Sequence, residues 1–391
     1  MPFDSEYSAL YARMRELVDA DDDIAAEPGT DEPRYFFRPG QAVIHKGDYA
    51  RLTAQRRLDD FTRLDQPGYS DDPESGAPLP FALLQVRRRP RDARRLVARV
   101  RELRFANNDA RIGLNHIVSG IPHAGCPAGP AQPAVNPGDP AGTEGAGVTL
   151  GVIDTGFWPD HPWLKGRARA LSGPRDLEQA GSPLGLQAGH GTHVCGVVLR
   201  MAPAATVVVA GPLDENGLSD DRTVAAALAR MLRADVKIVN MSLGCYTVDD
   251  DPPKALASVV ETMPPDAALI AGAGNKASPR PMYPAAFPKA FGVGALDRTG
   301  ARAGFSNHGD WVKACAPGVG IDSAFFLTEQ FADGFARWSG TSFAAPQFAG
   351  AVARLVAANP ALTPALAAAS LVGQVGHSVV GVGTAFQPHL P

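Results

Sequence analysis

Asp154, His190 and Ser342 are far apart in the chain, yet together they have the types that nucleophilic catalysis needs. A serine hydroxyl is a weak nucleophile until a base takes its proton. An imidazole does that near neutral pH, and a carboxylate fixes its tautomer and stabilises the cation that forms. Asn275 adds an amide N–H donor of the kind that stabilises a developing oxyanion. A rival chemistry sits in GHGTHVCG, residues 189–196, where His190, His193 and Cys195 crowd together. On a helix the two histidines share a side while Cys195 points away from His190, and no HExxH-like spacing supplies the remaining ligands, so no metal is expected. Taken singly, Asp154 suits a turn, Ser342 a helix cap and Asn275 a turn amide. Caps and turns do not explain the ordered set.

The elements around these residues are of a kind that brings distant side chains together. VTLGVID, TVVVAGP, VKIVNMSLG, AALIAGAGN and FGVGAL read as short apolar strands, separated by helical stretches such as DRTVAAALARMLRAD and PPKALASVVETM. That alternation predicts a parallel sheet with helices on both faces, whose function sits at the C-terminal ends of the strands. Asp154, the run Ser242 to Gly244, and Asn275 all lie at such ends. GHGTHVCGVV and SGTSFAAPQFAGAVARLV place His190 and Ser342 at helix starts, where free backbone amides favour an anion.

Asp154, His190 and Ser342 also stand in one of the chain orders known for such a set. VIDTG, GHGTHVCG, MSLG, AGN and GTSFAAP, in that order over residues 147–358, make the sequence resemble the subtilisin-like serine protease family. The resemblance implies an α/β, three-layer sandwich with a mostly parallel sheet and an endopeptidase in which Ser342 attacks, His190 shuttles the proton, Asp154 orients it and Asn275 holds the oxyanion. It implies that Ser242, Leu243 and Gly244 form one wall of the substrate cleft and Gly217, Leu218 and Ser219 the other, with a peptide added between them as a strand. It makes His193 a structural residue and puts Cys195 where the family usually has alanine. By the same resemblance Lys276 matches a border of the pocket for the residue before the scissile bond, and Met282 its floor. A shortened pocket that disfavours Lys and Arg and takes acidic or medium apolar residues is therefore expected. The calcium-binding loop common after the His helix is missing, so no cofactor or metal is expected.

The rest of the chain divides by composition. Residues 1–33, including VDADDDIAAEPGTDEP, are acidic and turn-rich and read as a mobile segment. Residues 34–120 read as a small α/β domain: RYFFRPGQAVIH, FALLQV and RIGLNHIVSG as strands, DARRLVARVREL as a helix. Residues 121–146 are a Gly/Pro-rich linker and 147–391 the catalytic domain. The family commonly carries a small α/β propeptide, which suits 34–120 acting on the cleft in cis until the linker is cut.

With 391 residues, 45% hydrophobic and 20% charged, the chain can bury a large core. A net charge of -4 gives no general pull toward nucleic acid or anionic membrane. Nine arginines fall between Arg87 and Arg104, but one helix with an apolar face and no interleaved aromatics is poor evidence for nucleic acid and is better read as a solvated face docking on Asp220, Asp221 and the run Asp249 to Asp251. Those aspartates are expected to form a solvated loop or helix cap rather than a metal site. Cys126, Cys195, Cys245 and Cys315 form no CxxC pair, and the last three read as buried thiols. The charged N-terminal stretch lacks a secretory h-region, and Arg354, Pro360 and Pro364 interrupt the longest apolar segment. The expectation is a cytoplasmic monomer acting on a peptide or protein substrate, without nucleic acid or membrane partners. A peptide-binding adaptor using the same cleft without turnover is the alternative.

Overall fold

The computed structural model describes residues 16–30, 34–64, 71–72, 74–87, 93–107, 110–120, 129–171, 185–373, 378–379 and 383–385. The N-terminal unit contains β1 (Ala25–Ala26), β2 (Phe36–His45), α1 (Lys46–Ala54), β3 (Phe61–Arg63), β4 (Phe81–Val86), α2 (Ala93–Phe105) and β5 (Ile112–Ser119). Its strands pair antiparallel in the order β5-β2-β4-β3, with β1 on β2. Successive strand residues point to opposite faces. Ala42 and Ile44 thus meet Leu96, Val97 and Val100 of α2, while Val43, with Phe81, Leu83 and Val118, turns to the catalytic part. The segment read as mobile lies, over its described residues, against this sheet: Val18 and Ile24 pack with Phe36 and Ile117, and the Glu27 carboxylate pairs with Arg34. Helix α1 was not evident in the sequence. It buries only Leu52, and its N-cap is His45, whose ring Nδ1 accepts from Gly47 N at 3.1 Å, an unusual capping residue.

The large sheet uses β7 (Thr149–Ile153), β8 (Ala168–Ala170), β9 (Thr206–Ala210), β11 (Ile238–Met241), β12 (Ala268–Gly272), β13 (Ala290–Leu296), β14 (Val312–Pro317), β17 (Ser378–Val379) and β18 (Gly383–Ala385). Their order is β17-β18-β14-β13-β12-β11-β7-β9-β8, parallel throughout except for β17 on β18. Leu150, Val152, Ile238 and Ile270 face α3 (His190–Met201), α6 (Thr341–Ala358) and α7 (Pro364–Gly373). Ile153, Val239, Met241 and Leu269 face α4 (Asp221–Arg233) and α5 (Lys254–Glu261). This is the three-layer α/β sandwich expected.

Helices α4 and α5 are covered by the N-terminal sheet. Strand β5 continues that sheet onto β10 (Leu218–Asp220) of the catalytic part, antiparallel, with Leu218 opposite Ser119. A third sheet has the order β15-β16-β6, from β15 (Ile321–Ala324), β16 (Phe335–Trp338) and β6 (Gln132–Ala134). Strand β6 arises inside the Gly/Pro-rich stretch, where Pro133 is tolerated because β6 is an edge. Beyond it Trp163 Nε1 donates to Asp139 at 2.8 Å. Residues 121–128, which hold Cys126, lie outside the described residues. Among the described residues no helix is long and apolar enough to cross a membrane.

Candidate active site

Asp154 follows the last residue of β7 and is held by Asp154 N donating to Ala210 O at 3.0 Å. His190 is the first residue of α3, and its Nδ1–H donates to Asp154 Oδ1 at 2.7 Å. The same oxygen accepts from Thr155 N at 2.8 Å, and Thr155 Oγ1 accepts from Gly191 N at 3.0 Å, so the turn after β7 grips the start of the helix. This contact requires glycine at 191, since a Cβ there would stand 2.0 Å from Gly156 O. Both partners are buried, Asp154 at 0% exposure and His190 at 2%.

Ser342 is the second residue of α6. Pro346 lies inside that helix and has no N–H to give to the carbonyl four residues back. Ser342 O is therefore free to accept from Ser242 Oγ at 2.8 Å, which ties the Ser342 backbone to the end of β11. Ser342 Oγ itself points to Ser242 O at 3.4 Å. Asn275 stands just beyond β12, and its Oδ1 accepts from Thr341 N at 2.8 Å and Thr341 Oγ1 at 2.9 Å. Those bonds commit the oxygen, and Asn275 lines the same cavity as Ser342. A base paired with a carboxylate, a hydroxyl at a helix N-terminus and an oriented amide can together perform acyl transfer.

His193 points elsewhere: its Nε2–H is shared between Ile321 O at 3.1 Å and Ala336 O at 3.2 Å. Burial, with His190 nearby, lowers its pKa to about 3. Cys195 is fully buried beneath the site, and burial pushes its thiol well above the usual range. The run Asp249 to Asp251 is spent on cations: Asp249 meets Arg101 and Arg104, Asp250 meets Arg280, and Asp251 meets Arg104 and Lys254. Asp220 accepts from Arg38 at 3.4 Å and caps α4 through Thr223 N. Asp221 is different; it is buried, accepts from Ala255 N and Leu256 N at the start of α5, and desolvation raises its pKa to about 7. Lys276 places its Nζ 5.2 Å from the centre of the Tyr246 ring and is not among the residues lining the cavity beside Ser342. Met282 lines the cavity beside Ser342, wedged so that a Cβ at Gly244 would lie 2.5 Å from its Cε and one at Gly274 2.6 Å from its Sδ.

The two expected walls of the cleft hold a strand, and it belongs to the chain itself. Ser119 N donates to Gly244 O at 3.0 Å and Gly244 N to Ser119 O at 2.9 Å. On the other side Gly120 N donates to Gly217 O at 2.8 Å, while Val118 is opposite Ser219. All of this recognition is main chain to main chain.

The profile of peptidase S8, the subtilase family, matches residues 145–379. The chain belongs to the subtilase family. It is 30% identical over 253 residues to a thermophilic serine proteinase of Bacillus sp. (strain AK1), covering 62% of this chain and 59% of that relative. It is 31% identical over 238 residues to subtilisin E of Bacillus subtilis (strain 168), covering 57% of this chain and 59% of that relative. The chain thus spans less than two thirds of the length of these relatives. A solved cold adapted subtilisin-like serine proteinase aligns with a TM-score of 0.53 at 26% identity, over 66% of this chain and 94% of that structure.

Within this subtilase, sequence reasoning passed over three residues that shape the site. Thr155 and Thr341 lie inside VIDTG and GTSFAAP with nothing in the sequence to single them out, yet each bonds a site residue. Gln187 was not singled out at all. It lies beside Gly120 and Gly217 in the cleft, contacts that span 67 and 30 residues of chain and leave no local pattern.

Proposed function

We propose that this subtilase is a serine endopeptidase whose N-terminal unit, residues 34–120, closes the cleft in cis. The observation that carries the reading is the 2.7 Å His190–Asp154 hydrogen bond at the start of α3, in a protein whose Ser342 and Asn275 line one cavity with Ser119 and Gly120 of the N-terminal unit. Ser342 Oγ attacks the scissile carbonyl, His190 Nε2 takes its proton and returns it to the leaving amine, and Asp154 stabilises the imidazolium. Asn275 Nδ2 and the Ser342 N–H receive the oxyanion, the former contributing about 2.7–4 kcal/mol to the barrier. The buried thiols of Cys195 and Cys245, which form no disulfide among the described residues, support a reducing, cytoplasmic setting.

The N-terminal unit is also held by charge. Asp72, fully buried, bridges Arg230 and Arg233 of α4 at one end, and Arg101 and Arg104 of α2 meet Asp249 and Asp251 at the other. Burial alone would raise the Asp72 pKa, but hydrogen bonds from Ser75 and Glu74 N together with Arg230 bring it below the usual value. Intact-mass analysis of the full chain and of Ser342→Ala tests the reading. The parent is expected to be cut between Gly120 and Gly147 and the variant to stay whole. Full-length masses in both, with a fluorophosphonate adduct on Ser342, would make the unit a permanent accessory domain. No adduct would favour the peptide-binding adaptor.

A further inference from the structure

Among the described residues, Gln187 in the occupied cleft carries a buried polar atom that the bound strand leaves unanswered. Gln187 lies three residues before His190 and is 4% exposed. Its N–H donates to Glu215 O at 3.0 Å and its carbonyl accepts from His190 N at 3.0 Å, so its backbone is fixed between the cleft wall and the catalytic helix. Its side chain lies over Gly217, where a Cβ would come within 2.5 Å of Gln187 Cγ and where φ is +74°; glycine meets both demands. Gln187 Oε1 has no hydrogen-bond partner among the described residues. It faces Gly120, at which a Cβ would stand 3.5 Å from Oε1 and 3.4 Å from Leu213 Cδ1.

Those distances fit a hydroxyl. A C–O bond of about 1.4 Å followed by an O–H···O contact of about 2.7 Å, at a near-tetrahedral angle, places the carbon about 3.5 Å from the acceptor. Serine at this position would satisfy Oε1 without moving it, and threonine would also lay its methyl against Leu213. Glycine leaves the acceptor buried and unpaired, and valine fills the space without answering it. The main chain is already set by the Gly120 N to Gly217 O bond, so the choice rests on the side chain alone.

We propose that Gln187 is a specificity-determining residue that selects substrates with serine or threonine at the position held here by Gly120. The chain's own strand, with glycine there, is a weaker occupant than such a substrate. The inference rests on the endopeptidase reading above.

The test is digestion of a proteome-derived peptide mixture by the full-length protein and by Gln187→Met and Gln187→Glu, with cut sites read by mass spectrometry. Serine and threonine are expected to be enriched about three- to tenfold over glycine and valine at one fixed position on the acyl side, in the parent and in Gln187→Glu, and to lose that enrichment in Gln187→Met. In the chain itself, Gly120→Ser should slow fluorophosphonate labelling of Ser342 by a similar factor, but not when combined with Gln187→Met. Cutting without serine or threonine enrichment, or enrichment undiminished in Gln187→Met, overturns the assignment and leaves the peptidase intact. A protein that neither cuts the mixture nor forms an adduct at Ser342 fails as a peptidase, and this inference fails with it.

Discussion

Replacing Gly191 by alanine isolates the contact that brings base and carboxylate together. The residue is helical, so alanine suits its backbone, and the perturbation is steric. A Cβ there would lie 2.0 Å from Gly156 O and 3.1 Å from Gly156 C and N. Carbon–oxygen contacts settle at about 3.3 Å, so α3 and the turn after β7 must separate by about 1.3 Å. The 2.7 Å His190–Asp154 bond and the 3.0 Å Gly191–Thr155 bond run between the same two segments, and a close-packed interior passes such a shift on rather than absorbing it. A misplacement of about 1 Å costs on the order of 100-fold in rate. The assay is the second-order rate of fluorophosphonate labelling of Ser342 in the full chain, measured beside the thermal midpoint. Gly191→Ala is expected to label about 100-fold more slowly than the parent. Gly304→Ala, where a Cβ meets nothing within 4 Å, serves as the control and should match the parent. Parent-like labelling of folded Gly191→Ala would refute the claim that the close approach of α3 positions the base.

Three further substitutions probe other parts of the molecule. Arg104→Ala removes a side chain that is 8% exposed and bonded to Asp249 and Asp251, at a cost of about 1–2 kcal/mol to docking of the N-terminal unit; labelling of Ser342 should accelerate about 5- to 30-fold, and an unchanged rate would mean that these two ion pairs do not hold the unit on the cleft. Met282→Ala should open the pocket between Gly244 and Gly274, raising cleavage after leucine and phenylalanine relative to alanine, as read by peptide profiling; an unaltered profile would mean that Met282 is not its floor. Asp221→Asn tests the buried carboxyl at the start of α5. Its folded pKa of about 7 lies above the ordinary value of 3.8, so its contribution is fully present below that ordinary value and is lost as pH rises through about 7. The variant's melting temperature should therefore gain on the parent's between pH 5 and pH 8, and parallel curves would contradict the assignment.

The residues that were legible in the sequence are those whose role follows from the end of an element. Asp154, Asn275 and Ser242 sit where apolar runs stop, and His190 and Ser342 where helices start, so the order of strands and helices was enough to gather them. Helix α2 was legible because Leu96, Val97, Val100 and Leu103 recur at helical spacing, whereas α1 buries one residue and has no period to read. The aspartate runs were read by composition. The structure separates them by burial, since Asp249 to Asp251 meet cations at the surface while Asp221 is enclosed and caps a helix. No local rule distinguishes these, because the difference lies in what packs on top.

The cleft shows why the occupant was harder to see than the site. Its walls pair with backbone, so any extended segment of suitable reach can enter, and a segment that does so needs no motif. IGLNHIVS is buried at every position and reads as an ordinary core strand. It is one on its β2 side, and on its other side it meets Gly244, Ser219 and Leu218 with the same alternation of donors and acceptors. What sets one occupant against another must then come from side chains that the backbone pairing leaves free. Gln187 above Gly120 is such a side chain. On the proposed reading, a strand that fits the walls but leaves that acceptor unpaired closes the cleft and yields to a substrate whose side chain answers it.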